Sequence, residues 1–226
     1  MKERSKRYKE SGKLLEKDKV YQLRDAITAL KKMSLPKFDG SVDLNFHLNV
    51  DTKKSDQMVR GTVVLPHGTG KKIRVAVFCK GEHERQAKDS GADLVGGLEL
   101  IDKVAGGFLD FDCCIATPEM MKDLSKLGKV LGPRGLMPSP KTGTVTNDIA
   151  KAIEDVKRGK VEFRVDKQGG VHLLVGKMSF DEDKLYDNAS RVIEALTEAR
   201  PASVKGKFVK SLSISASMNP GLRLSI

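Results

Sequence analysis

Val42-Asp43-Leu44-Asn45-Phe46-His47-Leu48-Asn49-Val50 alternates without a break, with Val42, Leu44, Phe46, Leu48 and Val50 on one parity and Asp43, Asn45, His47 and Asn49 on the other. Successive side chains of a strand point to opposite faces, so the stretch predicts a strand with one face on a core and the other facing water or a partner. The same period returns in Val161, Phe163 and Val165, and again in Leu212, Ile214 and Ala216, where Ser211, Ser213, Ser215 and Ser217 occupy the other face.

Helical spacing flanks these strands. Leu23, Ala26, Ile27, Leu30 and Met33 form an apolar stripe that Pro36 ends, because the residue before a proline is pushed away from α geometry. Leu185, Ala189, Val192, Ile193 and Leu196 form a second stripe, opened by a capping box of Ser179 and Glu182. The two ends of the chain therefore share one pattern, that of an α+β sandwich with an antiparallel sheet, helices on one face and the other face free.

Between them the pattern changes. From about Lys71 to Gly159, short β-rich runs (Ile73 to Phe78, Asp93 to Val95, Cys113 to Ala116) alternate with helical stretches, as in a parallel sheet covered on both faces. Thr117 with Pro118, and Thr146, suit helix starts, while Gly91 and Gly159 suit helix stops. The expected organisation is a discontinuous α+β domain (1–67 and 160–226) with an inserted, Rossmann-like three-layer α/β domain (68–159). Pro66, Gly68 and Gly70 mark one crossing and Gly159 the other, and two neighbouring crossings predict a hinge.

The chain has 226 residues, 39% of them apolar, enough for a sizeable core. Lys and Arg number 41 against 30 acids, a net charge of +11 that attracts polyanions. RNA, DNA and anionic membranes all remain open on charge alone. No apolar run approaches the roughly 20 residues of a spanning helix, and no apolar stretch after the basic N-terminus resembles a signal peptide. Cys79, Cys113 and Cys114 have the spacing of neither a disulfide framework nor a metal site, which points to a reducing cytoplasm. Lys2, Arg4, Lys6, Arg7, Lys9 and Lys13 read either as an arm for a phosphate backbone or as a solvated terminus.

Catalytic readings fail one by one. Gly68-Thr69-Gly70-Lys71 resembles a phosphate loop but lacks glycine at Leu65 and a hydroxyl residue at Lys72. Cys79-Lys80-Gly81-Glu82 lacks the glycine pattern of a dinucleotide turn. Asp110, Asp112, Cys113 and Cys114 lack a nearby histidine, and His47, His67, His83 and His172, the last in a strand, have no paired nucleophile. No enzyme, metal or cofactor is expected. The loop from Leu131 to Lys141 is open to two readings, proline-ordered structure or nucleic-acid contact through Arg134 and Lys141.

Four hydroxyls on one strand face can donate to phosphate and accept from a ribose 2′-OH, although a plain solvated strand would also be polar. Trp is absent and most Phe sit at apolar positions, which disfavours base stacking and favours a folded RNA shape.

Several motifs then fit together: Lys37-Phe38-Asp39, Ser55-Asp56-Gln57, Val59-Arg60-Gly61-Thr62, Leu65-Pro66-His67-Gly68, Gly91-Ala92-Asp93, Phe111-Asp112, Ala116-Thr117-Pro118, Leu131 to Pro138, and Ser217-Met218-Asn219-Pro220. In order and over nearly the whole chain, these resemble the bacterial large-subunit ribosomal protein L-one family. The resemblance implies a monomer when free that binds large-subunit ribosomal RNA, forms a mobile stalk, assists release of exit-site tRNA and represses its own operon messenger RNA. By position it implies RNA contact at Lys37, Phe38 and Ser41, at Arg164, Asp166 and Lys167, and at Ser211, Ser217, Met218 and Asn219. Ser213 and Ser215 join on strand parity alone. The family usually carries glycine where this chain has Asn219, a residue that tolerates left-handed backbone better than most.

Overall fold

A computed structural model describes residues 5–15, 19–33 and 36–225. In chain order the elements are helix α1 (Lys6–Lys13), strand β1 (Val20–Tyr21), α2 (Leu23–Lys32), β2 (Ser41–Leu48), β3 (Arg60–Val64), β4 (Val75–Phe78), α3 (Glu82–Asp89), β5 (Leu94–Gly96), α4 (Leu98–Ala105) and β6 (Cys113–Ala116). There follow α5 (Met121–Leu124), α6 (Gly128–Leu131), α7 (Ile149–Arg158), β7 (Lys160–Arg164), β8 (Gly170–Lys177), α8 (Glu182–Glu198), β9 (Val209–Ala216) and β10 (Leu222–Leu224). The chain divides into two compact units, Met1–Gly70 with Val161–Ile226, and Lys71–Lys160.

The first unit holds a five-stranded sheet in the order β1-β10-β9-β2-β8 and a two-stranded pair, β3 with β7. The expected antiparallel sheet is in fact mixed. β10–β9, β9–β2 and β2–β8 are antiparallel, but β1 lies parallel to β10. A two-residue edge strand spans only one period of alternation, too little to be read from the sequence.

Val42, Leu44, Phe46 and Leu48 of β2 and Leu212, Ile214 and Ala216 of β9 are buried, and α2 and α8 lay Ala26, Ile27, Leu30, Leu185, Ala189, Val192 and Leu196 into the same core. Burial of this apolar surface, at roughly 25 cal/mol per Å², holds the sheet to its helices. Asn188, fully buried on α8, joins the layers: its Oδ1 accepts from the His67 amide at 3.1 Å and its Nδ2 donates to the carbonyls of Gly68 at 2.9 Å and Val175 at 2.8 Å.

Two helix starts differ from expectation. Asp181, not Ser179, is the N-cap of α8. Ser179 instead donates to Asp39 at 2.8 Å, and Glu182 accepts from Thr28 at 2.7 Å, so both members of the expected capping box are engaged by long-range partners. Helix α7 begins after Asp148, whose carboxylate accepts from the Lys151 amide, while the Thr146 hydroxyl accepts from the Asp148 amide one step earlier. The stretch after Leu131 is also less irregular than expected, since Gly132 to Gly135 forms a turn and Pro140–Thr142 a single 3-10 turn.

The second unit is a parallel sheet in the order β5-β4-β6. Its central strand alternates between two cores. Ala76 and Phe78 pack with α4 and α5, whereas Val75 and Val77 pack with Ala87 of α3 and with Ile149, Ile153 and Val156 of α7. Helices thus cover both faces, which explains why this strand reads as a continuous apolar run.

Candidate nucleic-acid interface

The cross-strand register assembles the polar face. Asp43 stands opposite Ser215, Asn45 opposite Ser213 and His172, and His47 opposite Ser211. The parities read separately in β2 and β9 therefore fall on one surface of the sheet. At Cα spacings of about 3.3 Å per residue, Ser41 to His47 spans roughly 20 Å.

This face carries its own hydrogen-bond network. Asn45 donates through Nδ2 to Ser215 Oγ at 3.2 Å and pairs through Oδ1 with His172 Nδ1 at 2.7 Å. Lys177 Nζ donates to Ser41 Oγ at 2.9 Å. The Ser41 amide donates to Ser217 Oγ at 3.0 Å, and the Ser217 amide returns a bond to the Ser41 carbonyl at 2.9 Å. Ser215 and Ser217 are thereby engaged within the sheet, whereas the hydroxyls of Ser211 and Ser213 make no hydrogen bond among the described residues. Burial pushes the Asp43 carboxyl above the usual carboxylate range, an effect that Lys177 and His172 partly oppose.

The candidate residues form two groups at opposite ends of this face. At one end, the chain from Lys37 through Phe38 runs into Ser41 and so into Ser217. Phe38 is 56% exposed and Met218 is 64% exposed, both unusual for large apolar side chains. Met218 is the only described non-glycine residue with left-handed backbone, φ 66°, in a turn closed by the Asn219 amide on the Ala216 carbonyl at 3.0 Å. The left-handed position is thus one residue earlier than Asn219. Asn219 is buried, and neither polar atom of its side chain meets a partner among the described residues.

At the other end lies the turn joining β7 to β8. The Asp166 carboxylate accepts from the amides of Gln168 at 2.8 Å and Gly170 at 2.7 Å, which holds its pKa below the usual range, and the neighbouring His172 contributes further. Arg164 and Lys167 are exposed beside it. Gly170 pairs with His47, which places this turn at the Ser211 end of the face.

Sequence reasoning missed His172 and Lys177 as members of the site, and Asn45 entered only as a polar-face residue. The parity of β2 was the available signal, but which residues stand opposite one another depends on register. Lys2 and Arg4 lie outside the described residues, and Lys6 to Lys13 forms α1, capped by Ser5.

Most of the other candidates are structurally committed. Gly68 and Gly70 adopt φ of 67° and 74°, and Lys71 donates to Asp112 at 2.6 Å rather than completing a phosphate loop. Cys79 and Cys114 are buried free thiols, and burial raises the Cys79 thiol to about 11. Among the described residues, no three His, Cys, Asp or Glu side chains are arranged to hold a metal ion. Arg134 and Lys141 are exposed.

Comparison with known proteins gives one consistent answer. The sequence profile described as "Ribosomal protein L1p/L10e family" matches residues 30–220. Three curated relatives carry the name "Large ribosomal subunit protein uL1". That of Lactiplantibacillus plantarum is 50% identical over 226 residues, covering 100% of this chain and 99% of its own length. That of Fervidobacterium nodosum is 53% identical over 227 residues, covering 100% and 97%, and that of Aster yellows witches'-broom phytoplasma is 50% identical over 221 residues, covering 98% and 96%.

Proposed function

We propose, on the premise that this chain belongs to the ribosomal protein L1p/L10e family, that it is a structural constituent of the large ribosomal subunit and binds ribosomal RNA through the polar face of its five-stranded sheet. The observation that carries the reading is the register that aligns Asp43, Asn45 and His47 with Ser215, Ser213 and Ser211 on one partly exposed polar face. A free, polar, hydrogen-bonding surface in a chain of net charge +11 suits recognition of a folded RNA by its backbone and 2′-hydroxyls.

In this reading Met218 and Phe38 pack against ribose or base, Ser41, Ser211, Ser213, Ser215 and Ser217 meet sugar and phosphate, and Asn219, its side chain buried, contributes through the main chain of the turn it closes. Lys37, Arg164 and Lys167 add salt-sensitive affinity, while Asp166 shapes the turn that presents two of them. The Lys71–Lys160 unit serves as an inserted, Rossmann-like domain of a mobile stalk that assists release of exit-site tRNA, with Pro66, Gly68, Gly70 and Gly159 as hinge. Repression of the protein's own messenger RNA would use the same face. The relatives' names describe ribosomal proteins, which supports a non-enzymatic role.

Filter-binding titrations against ribosomal and operon messenger fragments test this directly. Saturable binding to the ribosomal fragment at moderate salt is expected, weakened at least tenfold by Ser217→Ala with Met218→Ala. Undiminished binding by that double variant would reject the site. Binding of both fragments with the same mutational sensitivity would support repression through the shared face.

A further inference from the structure

We propose that a groove of about 440 Å³ where β9 and β10 meet the end of β1 is a second RNA contact, seating the phosphate backbone of a strand that continues past the serine face. It rests on the RNA-binding reading above and shares Ser211 with that face, but its charged residues are different: Lys207, Lys210 and Arg223, with Ser225 beside them.

A break in strand parity creates the groove. Between β2 and β9, Leu48 pairs with Val209 while His47 pairs with Ser211, so Lys210 is an extra residue in the ladder. Such a bulge re-aims a side chain. Here it leaves Lys210 and Ser211 both exposed in succession, where strict alternation would have turned one of them inward. On the neighbouring strand, Arg223 sits between core-facing Leu222 and Leu224 and opposite Ser213, which puts it on the serine side of the sheet. Lys207 arrives from a loop that Arg200 braces by donating to the carbonyls of Val204 at 2.8 Å and Gly206 at 2.9 Å.

The charge distribution calls for an anion. Among the described residues, no carboxylate lines the groove. Some cations elsewhere are paired, as in Arg60 with Glu162 at 2.7 Å and Arg74 with Asp110 at 2.5 Å, whereas among the described residues Lys207, Lys210 and Arg223 form no ion pair. Three like charges gathered without a counterion repel one another, and a polyanion relieves that repulsion. They suit a phosphate chain rather than a base, because they offer point donors and the described lining residues include no aromatic platform. Lysines hold phosphates through charge and arginine through its fork of donors.

The test is the salt dependence of binding to the ribosomal RNA fragment by the full chain, over about 0.05 to 0.4 M monovalent salt. Each phosphate neutralised contributes about 0.7 to 0.9 to the slope of log affinity against log salt. Lys210→Gln with Arg223→Gln should weaken binding about tenfold at the low-salt end and lower the slope by about 1.5, while Met218→Ala should weaken binding with its slope unchanged. Both changed positions are exposed, and an unaltered melting temperature would confirm that the double variant is folded. An unaltered slope in that variant, with the Met218 effect still present, would overturn the groove and leave the serine face standing. If in addition inorganic phosphate raised the melting temperature of the unmodified chain but not of the double variant, the groove would be a small-anion site. Failure of the unmodified chain to bind the fragment would overturn both readings.

Discussion

Strands β2 and β4 are both central in their sheets, yet they share little else. β2 buries alternate residues and leaves Asp43, Asn45 and His47 on a partly exposed polar face, whereas all four residues of β4 are buried between two helical layers. The contrast shows where each unit can do chemistry. A sheet covered on both sides spends its side chains on its own cores, and its free surface is helix and loop. A sheet covered on one side keeps a flat, regular array of polar groups at strand spacing, suited to the repeating backbone of a nucleic acid.

The sharpest way to break this contrast is to place a charge in each strand. Val77→Asp would bury an unpaired carboxylate at a position with no exposure and should cost more than about 4 kcal/mol, seen as early melting of the Lys71–Lys160 unit. Ser213→Asp on the polar face should cost under about 1 kcal/mol but sharply reduce RNA affinity. Comparable loss of stability from both would contradict the one-sided reading of the first sheet.

On the core side of β2, Phe46→Ala should cost about 3–5 kcal/mol in thermal or denaturant unfolding. A smaller effect follows at Asn188. Asn188→Leu would leave the His67 amide and the carbonyls of Gly68 and Val175 without their partner, at about 2–4 kcal/mol, and unfolding in denaturant would show it as a lowered midpoint with unchanged slope.

Two carboxylates near the polar face should respond to acid in opposite directions. Asp166 is held below the ordinary value near 3.8, so its stabilising contribution is complete above that value and fades as pH falls through the folded pKa. The melting temperatures of the unmodified chain and Asp166→Ala should therefore converge in acid. Asp43 is raised by burial, so its charged form weakens the fold at neutral pH and protonation removes that penalty as pH falls. Asp43→Asn should match or exceed the unmodified chain at neutral pH and lose that advantage in acid. Parallel curves for both variants would contradict these assignments.

Much of the first unit was legible because its signals are long. Eight-residue alternation in β2 and β9 and ten to seventeen residues of helical stripe in α2 and α8 each contain several periods. β1 and β10 escaped because two and three residues contain too few. The capping box at Ser179 and Glu182 misled because Asp39 and Thr28, over 130 residues away in sequence, are their partners. In the candidate site, parity identified the four serines, but His172 and Lys177 required the register of β8, and Lys210 was hidden by a bulge that parity cannot represent. Arg164, Asp166 and Lys167 entered through family resemblance alone.

Radical footprinting of exposed side chains tests the central claim most directly, since it reads each surface in one experiment. On addition of the ribosomal RNA fragment, oxidation of Met218 and Phe38 should fall several-fold while exposed Phe108 of the second unit is unchanged. Unprotected Met218 and Phe38 at saturating RNA would contradict the assignment of the polar sheet face as the RNA-binding surface.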